Sequence, residues 1–238
     1  MNVYFLVEGR RCERKLYPSW LSYAAPRLKR VYNPFHADTN SYYLISAEGY
    51  PSILRDHLPN AVRDIEKSKQ FDLLVVVLDA DELSVEERRN EARESAAGLV
   101  SARLAVVVQN RCIETWLLGN RKLMKRNPQC KTLRNYLNHY DAARRDPERM
   151  PVYTGFNTHS QFHFDYLRLA FRERGLAYTK ARPGEAGEQH YFEELKRRVV
   201  DSPGDLATFA DFVRLCGSLQ SHSVFGLGRL YGRRRRNE

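Results

Sequence analysis

The sequence lacks the cysteine pairs and the long apolar segments that mark several common classes of protein. Its four cysteines are far apart and include no Cys-x-x-Cys pair, which argues against a zinc cluster and against a disulfide scaffold. The apolar start at Val3–Val7 is interrupted at once by Glu8 and two arginines, so it does not match a signal peptide or a membrane span. We therefore expect a cytoplasmic protein without a membrane partner.

Two familiar catalytic motifs are also missing. The chain has no phosphate-binding loop of the Gly-x-x-x-x-Gly-Lys-Ser/Thr type, so it cannot hydrolyse ATP by that route. It has no Gly-x-Ser-x-Gly turn for a serine nucleophile. Cys12 is a poor candidate nucleophile, because neighbouring acids should raise the pKa of its thiol.

The composition indicates a globular protein with an excess of positive charge. Hydrophobic residues make up 42% of the 238 residues, which is enough for a sizeable core. The formal net charge is +10, and the basic residues are mostly arginines, including a run from Arg233 to Arg236. Because a guanidinium group binds phosphate through a two-pronged contact, this charge favours a polyanionic substrate. Solubility or nonspecific attraction is the alternative explanation, especially for the tail.

Strand and helix patterns alternate through the first half of the chain. A helical pattern follows each predicted strand, the last one over Ile113–Leu123. A capping box at Ser84 begins the helix after the third strand. This alternation predicts a doubly wound α/β domain over residues 1–127, with a mostly parallel four-stranded sheet covered by helices on both faces. The four strands are Val3–Val7, Tyr42–Ala47, Phe71–Leu78 and Leu104–Val108, and a further short strand is suggested near Leu28–Tyr32.

The second half of the chain is predicted to be a mainly helical extension, residues 128–238, that ends in the basic tail. Asn127-Pro128 marks the expected boundary. Leu176–Lys180 is a candidate strand between the helices. The four predicted helices are Thr132–Arg145, His159–Arg174, Gly187–Val200 and Asp205–Leu219.

Acidic residues occur where two of the predicted strands end. Glu8 follows the first strand directly, and Asp79 and Asp81 end the third. Because the carboxyl ends of parallel strands open into one crevice, these acids can meet there. Carboxylates repel one another unless a cation lies between them, and Mg²⁺ or Mn²⁺ prefers such oxygen ligands. The sequence therefore predicts a divalent metal site at this edge.

Two further acids are candidate metal ligands. Glu13 and Glu114 each lie at the predicted start of a helix, where a negative charge already interacts favourably with the helix dipole. A metal-binding role and a structural role therefore both stay open for these two residues. The same alternative applies to Asp79-Ala-Asp81, which could be an acidic turn that leads into a helix cap.

Three motifs taken together resemble the Toprim domain. They are Val7-Glu-Gly-x-x-x-Glu13, Asp79-Ala-Asp81 and Cys112-Ile-Glu-Thr-Trp-Leu-Leu118. The combination looks most like the small bacterial Toprim and OLD-like nucleases of phage-defence systems. One spacing differs, because OLD-type nucleases commonly place the second glutamate four residues after the first, and here Glu13 follows Glu8 by five.

The resemblance implies a Toprim-like fold and a Mg²⁺- or Mn²⁺-dependent nuclease that cleaves phosphodiester bonds in RNA or DNA. It implies that Glu8, Asp79 and Asp81 are catalytic, with Glu13 and Glu114 as additional ligands. A role in antiphage defence and an ATPase partner are also expected on this basis, and a homodimer is a further partner hypothesis.

Basic residues near these motifs are candidate substrate ligands. Arg10 and Arg11 lie in the turn after the first strand, where they could hold a phosphate or could pair with the adjacent glutamates. Lys180 and Arg182 belong to a basic loop in the second half of the chain.

Two other functions stay open at this point. One is a non-catalytic nucleic-acid-binding or regulatory subunit of an ATPase-containing defence complex. The other is a phosphotransfer or phosphatase domain that acts on a small substrate.

Overall fold

A computed structural model describes residues 1–220, so the arginine run from Arg233 to Arg236 lies outside the described residues. One parallel sheet forms the centre of the structure, with the strand order β2-β3-β1-β4-β5. The strands are β1 Val3–Val7, β2 Lys29–Val31, β3 Ser41–Ser46, β4 Leu73–Asp79 and β5 Arg103–Gln109.

The two central strands are buried on both faces. Every residue of β1 is buried, and in β4 only the final Asp79 is partly exposed. Successive side chains point to opposite faces of the sheet, so Phe5 and Val75 belong to one core and Leu6 and Val76 to the other. This explains why the strands appear in the sequence as continuous apolar runs, which is typical of a parallel sheet covered on both sides.

Helices cover both faces of the sheet. The helices α2 and α3 contribute to the core that contains Leu6, and α1, α7 and α8 contribute to the core that contains Phe5. No helix within residues 1–220 is long and apolar enough to cross a membrane. The α-helices are α1 Glu13–Ala24, α2 Leu58–Ser68, α3 Val85–Ser95, α4 Ile113–Leu117, α5 Lys131–His139, α6 His159–Glu173, α7 Gln189–Asp201 and α8 Ala207–Gln220.

Within residues 1–220 the sheet has five strands, one more than the four predicted. The additional strand is β2, which falls inside the segment Leu28–Tyr32 where a short strand was suggested. It lies at the edge of the sheet and pairs only with β3. Because β2 is short and contains only one apolar residue, its sequence lacks the apolar run of the other strands. The capping box predicted at Ser84 is confirmed at the start of α3.

Three other predicted elements differ from the structure. The helix expected over Ile113–Leu123 ends at Leu117 and is followed by a separate short 3₁₀ turn that Asn120 caps. The helix expected over Thr132–Arg145 ends at His139. No strand forms at Leu176–Lys180 in the described chain, where a single antiparallel bridge joins Thr179 and Arg182. Local periodicity does not reveal the ends of these two helices, where the Tyr191 hydroxyl donates to the Leu117 carbonyl oxygen at 2.7 Å and the Tyr166 hydroxyl to that of Tyr140 at 2.9 Å.

A cluster of aromatic residues connects the first half of the chain to the second. Trp20 of α1 and Trp116 of α4 both contact Phe209 and Phe212 of α8. All four side chains are fully buried. The division into residues 1–127 and 128–238 stays a prediction, and this shared core gives a means of testing it.

Because the aromatic cluster spans both segments, we expect Phe212→Ala to destabilise the whole chain in one cooperative transition. Truncation of a buried phenylalanine costs about 3–5 kcal/mol. Chemical denaturation followed separately by tryptophan fluorescence and by circular dichroism would measure the loss. Tyr32→Ala is the control, because Tyr32 is 80% exposed and its truncation should have little effect. Two separate transitions, with only one of them shifted, would show that the two segments fold independently.

Candidate active site

Glu8 is held rigidly at the end of β1. Because β1 and β4 are neighbours in the sheet, Glu8 lies beside the end of β4, and its carboxylate accepts a hydrogen bond from the Asp79 amide at 3.0 Å. The second carboxylate oxygen accepts from the Tyr50 amide at 3.1 Å. Burial raises the pKa of Glu8, and the hydrogen bond from the Asp79 amide opposes this shift. The structure thus brings Glu8 and the backbone of Asp79 together at one edge of the sheet.

Asp79 lies at the centre of a group of acids. One of its carboxylate oxygens, Oδ1, is buried and has no hydrogen-bond partner within residues 1–220. The pKa of Asp79 is raised strongly, first by burial and then by the charges of Glu8, Glu13, Asp81 and Glu114. We call these five residues the acidic cluster. Its members come from four separate segments of the chain, and all five were predicted site residues.

Glu13 faces the cluster from the first turn of α1. Its carboxyl group lies directly against Gly9, where a Cβ atom would overlap it, so the glycine allows the close approach. Burial, with Glu114 adding to it, raises the pKa of Glu13 to about 7. Cys12 lies beside Glu13, and burial together with the charges of Glu13 and Glu114 raises the pKa of its thiol, as the sequence predicted.

Glu114 is fully buried at the start of α4 and contacts the loop that contains Lys180. Its Oε1 accepts a hydrogen bond from the Tyr178 hydroxyl at 3.0 Å and lies 3.9 Å from the Lys180 ammonium. The other oxygen, Oε2, is buried without a partner in the described chain. The negative charge of Glu114 raises the pKa of Lys180, whose side chain is half exposed. Lys180 therefore lies at the cluster, as predicted, with part of its surface open to a ligand.

Asp81 is the most exposed member of the cluster, and its carboxylate has partners outside the other four acids. Its Oδ1 accepts from the Ser160 hydroxyl at 3.1 Å, and its Oδ2 lies 3.9 Å from the Arg88 guanidinium. The backbone of Asp81 has a φ of +51°, so the strand does not continue in extended form through Asp79-Ala-Asp81. The alternate spacing that would align the two aspartates in an extended strand therefore does not apply here.

The predicted phosphate-binding arginines are at the surface. Arg10 pairs with Glu48 at 3.2 Å, and both side chains are about two-thirds exposed. Arg11 and Arg182 are exposed as well. The sequence left open an ion pair between one of these arginines, Arg10 or Arg11, and Glu8 or Glu13. No such pair occurs within residues 1–220.

Arg88 is a site residue that the sequence did not reveal. This buried arginine of α3 donates to the Asp79 carbonyl oxygen at 3.0 Å and to Glu91 at 2.8 Å. Its guanidinium carbon lies 3.9 Å from the centre of the Tyr50 ring. Arg88 thus contacts both Asp79 and Tyr50, the two residues whose backbone amides donate to the Glu8 carboxylate. The only available signal was its position one turn before Ala92, on the buried face of a helix that otherwise consists mostly of charged residues.

The side chains of the acidic cluster are chemically suited to bind a hard divalent cation. Every donor in the acidic cluster is a carboxylate oxygen, which is the ligand type that Mg²⁺ and Mn²⁺ prefer. The two buried oxygens without partners, on Asp79 and Glu114, are groups that a cation would satisfy. Within residues 1–220 no group of three or more acidic, histidine or cysteine side chains is already arranged to hold a metal ion. A cation would therefore have to draw the carboxylates closer together.

Comparisons of this chain with protein-family models, with curated proteins and with solved structures found no match.

The acidic cluster should make the metal-free protein less stable as the pH rises. Glu13 has a folded pKa near 7, above its ordinary value of 4.5, so its ionisation lowers the stability of the folded protein by about 3 kcal/mol relative to the protonated form. We expect the ionisation of Glu13 to lower the free energy of unfolding in EDTA between about pH 4.5 and pH 7, so that Glu13→Gln becomes more stable relative to the wild type as the pH rises. Urea denaturation at pH 5 and at pH 8 measures the free energy of unfolding of both proteins.

Glu193→Gln, a surface change on α7, is the control for this experiment and should keep the wild-type dependence of stability on pH. Addition of Mg²⁺ should raise the stability more at pH 8 than at pH 5, because the ionised carboxylates bind the cation. His163, whose pKa burial lowers to about 3, makes the stability of both proteins rise with pH up to about 6.5, so the comparison of Glu13→Gln with the wild type is the test. Equal pH dependence of the wild type and Glu13→Gln would contradict the raised pKa of Glu13.

Loss of the Arg88 side chain should destabilise the protein. Arg88→Met leaves the Asp79 carbonyl group and the Glu91 carboxylate without their partner, which should cost about 2–4 kcal/mol. Arg93→Met, on the same helix, removes an exposed pair with Glu86 and should cost no more than about 1 kcal/mol. Denaturation midpoints of the two variants provide the comparison, and equal losses would refute the supporting role of Arg88.

Proposed function

We propose that this chain is a divalent-metal-dependent nuclease with a Toprim-like catalytic domain. The observation that carries the proposal is the acidic cluster at the carboxyl edge of the sheet, with one buried, unpartnered oxygen on each of Asp79 and Glu114. In open α/β sheets this edge is where ligands bind. The sequence motifs that resemble Toprim domains supply the same acids and support the same conclusion.

The residues have distinct roles in this proposal. Glu8, Asp79 and Asp81 would hold Mg²⁺ or Mn²⁺, with Glu13 and Glu114 adjacent to it. A bound cation would stabilise the charge that develops on the phosphate during phosphodiester cleavage. Glu8 is the most rigid of these ligands, because two backbone amides fix both of its oxygens.

Cations of the chain would bind the substrate phosphates. Lys180 is suited to this role, because its half-exposed ammonium lies at the edge of the cluster beside Glu114. Arg10 is available as well, since an exposed ion pair such as Arg10–Glu48 is weak and a phosphate can replace its acidic partner. Arg11 and Arg182 complete the proposed contact surface. The excess positive charge of the chain favours a polynucleotide over a small substrate.

A non-catalytic nucleic-acid-binding or regulatory subunit is the second candidate function. The orientation of Asp81 favours it, because this residue is engaged with Ser160 and Arg88. The Toprim resemblance also underlies the proposals of an antiphage role and of an ATPase partner. Cytoplasmic location and homodimerisation stay predictions from the sequence.

The nuclease proposal predicts metal-dependent cleavage that requires Asp79. Purified full-length protein is incubated with labelled DNA and RNA, single- and double-stranded, in Mg²⁺, Mn²⁺ or EDTA. We expect cleavage only with a metal, and a loss of about 100-fold or more in Asp79→Asn. Asp201→Asn, an exposed change on α7, should retain full activity.

The other candidate functions give different results in the same experiment. Binding of nucleic acid without cleavage in any metal would support the non-catalytic subunit. Hydrolysis of p-nitrophenyl phosphate without nucleic acid cleavage would support a phosphatase. Wild-type cleavage by Asp79→Asn, or cleavage that survives EDTA, would refute the metal mechanism. The stability of Asp79→Asn should equal or exceed that of the wild type, because the change relieves repulsion among the carboxylates.

A further inference from the structure

A basic cleft lies between the loop that follows α4 and the segment that follows α5. Its volume is about 560 Å³, within the range of small-molecule sites. Four cationic side chains and one acidic side chain, Asp141, line it, and two amide side chains add hydrogen-bonding capacity. The cations are Arg121, Lys125, Arg126 and Arg144. None of these residues belongs to the acidic cluster.

The loop that presents two of these cations is fixed by its neighbours. Arg174 donates hydrogen bonds to three successive carbonyl oxygens, those of residues 122–124, at 2.5–3.4 Å. The Glu173 carboxylate accepts from the amides of Gln129 and Cys130 at 2.7 and 3.2 Å. Both ends of the loop are therefore tied to the end of α6. Lys125 and Arg126 are held on a rigid backbone, which lowers the entropic cost of binding a ligand there.

Three of the four cations have most of their hydrogen-bonding capacity unused, whereas Arg121 donates to the Ser202 hydroxyl at 2.6 Å and lies 3.6 Å from Asp205. Arg126 is exposed and has no ion-pair or hydrogen-bond partner within residues 1–220. Lys125 is 3.7 Å from Glu173, and Arg144, 81% exposed, is 3.5 Å from Asp141. Arg198 provides a contrast, because this buried arginine donates to three carbonyl oxygens and to Asp205.

We propose that this cleft binds a multiply charged phosphate group. The guanidinium groups of Arg126 and Arg144 match the paired oxygens of phosphate, and Lys125 adds a point charge. The phosphate could belong to a free nucleotide or to a polynucleotide backbone, which share this chemistry. The inference does not depend on the nuclease proposal, because it uses different residues and requires no cleavage.

Isothermal titration of the full chain with sodium tripolyphosphate, at constant ionic strength, tests the proposal. We expect one site, with affinity reduced at least tenfold in the double variant Arg126→Ala/Arg144→Ala. The control is Arg63→Ala/Arg103→Ala, which removes the same charge from exposed positions on α2 and β5 and should bind like the wild type. No binding, or equal losses in the two double variants, would overturn the proposal.

Two competition experiments distinguish the sources of the phosphate. Displacement of tripolyphosphate by ATP, with no displacement by a single-stranded oligonucleotide that has no terminal phosphate, identifies a nucleotide site. Displacement by the oligonucleotide at a lower concentration identifies a polynucleotide backbone. Failure of both competitors to displace tripolyphosphate would refute a physiological phosphate site. Each result is independent of whether the protein cleaves nucleic acid.

Discussion

Five acidic side chains lie close together where the parallel strands end, and they repel one another when ionised. The neighbouring structure offsets this repulsion. Glu8 is stabilised by two backbone amides, and Glu114 by the Tyr178 hydroxyl and the nearby Lys180. Arg88 lies under the same edge and supports the backbone of Asp79. Even with these partners, burial and the neighbouring acids still raise the pKa of Asp79. Such an arrangement is costly without a cation, which is why we propose that the acidic cluster binds one.

The strongly patterned parts of the fold could be predicted from the sequence. The strand bounds at Val3–Val7 agree with the structure, and the runs that became β3, β4 and β5 were located to within about two residues. Burial on both faces produces the continuous apolar runs that made this possible. The short edge strand β2 lacks such a run, so the sequence suggested a short strand near Leu28–Tyr32 but did not show that it joins the sheet as a fifth strand. The early end of α4 coincides with a hydrogen bond from the distant Tyr191 hydroxyl to the Leu117 carbonyl oxygen.

The candidate site was predictable where its residues follow the strands directly. Glu8 and Asp79 each end a strong strand, and the rule for parallel sheets places them at one edge. The sequence could not show that the backbone turns at Asp81, because this turn depends on the φ angle of that one residue. Arg88 belongs to a helix of mostly charged residues, so its burial could not be predicted from the sequence. Lys180 was a candidate, but its position beside Glu114 depends on the packing of a loop from the second half of the chain.

The central claim is that the acidic cluster binds a divalent cation, and a crystal structure of the protein soaked in Mn²⁺ tests it most directly. Anomalous scattering locates Mn²⁺ without reference to any assumed ligand. We predict a peak about 2.0–2.3 Å from carboxylate oxygens of Glu8, Asp79 and Asp81. Absence of a peak at this edge, or carboxylates that point apart by more than about 8 Å in the soaked crystal, would contradict the claim.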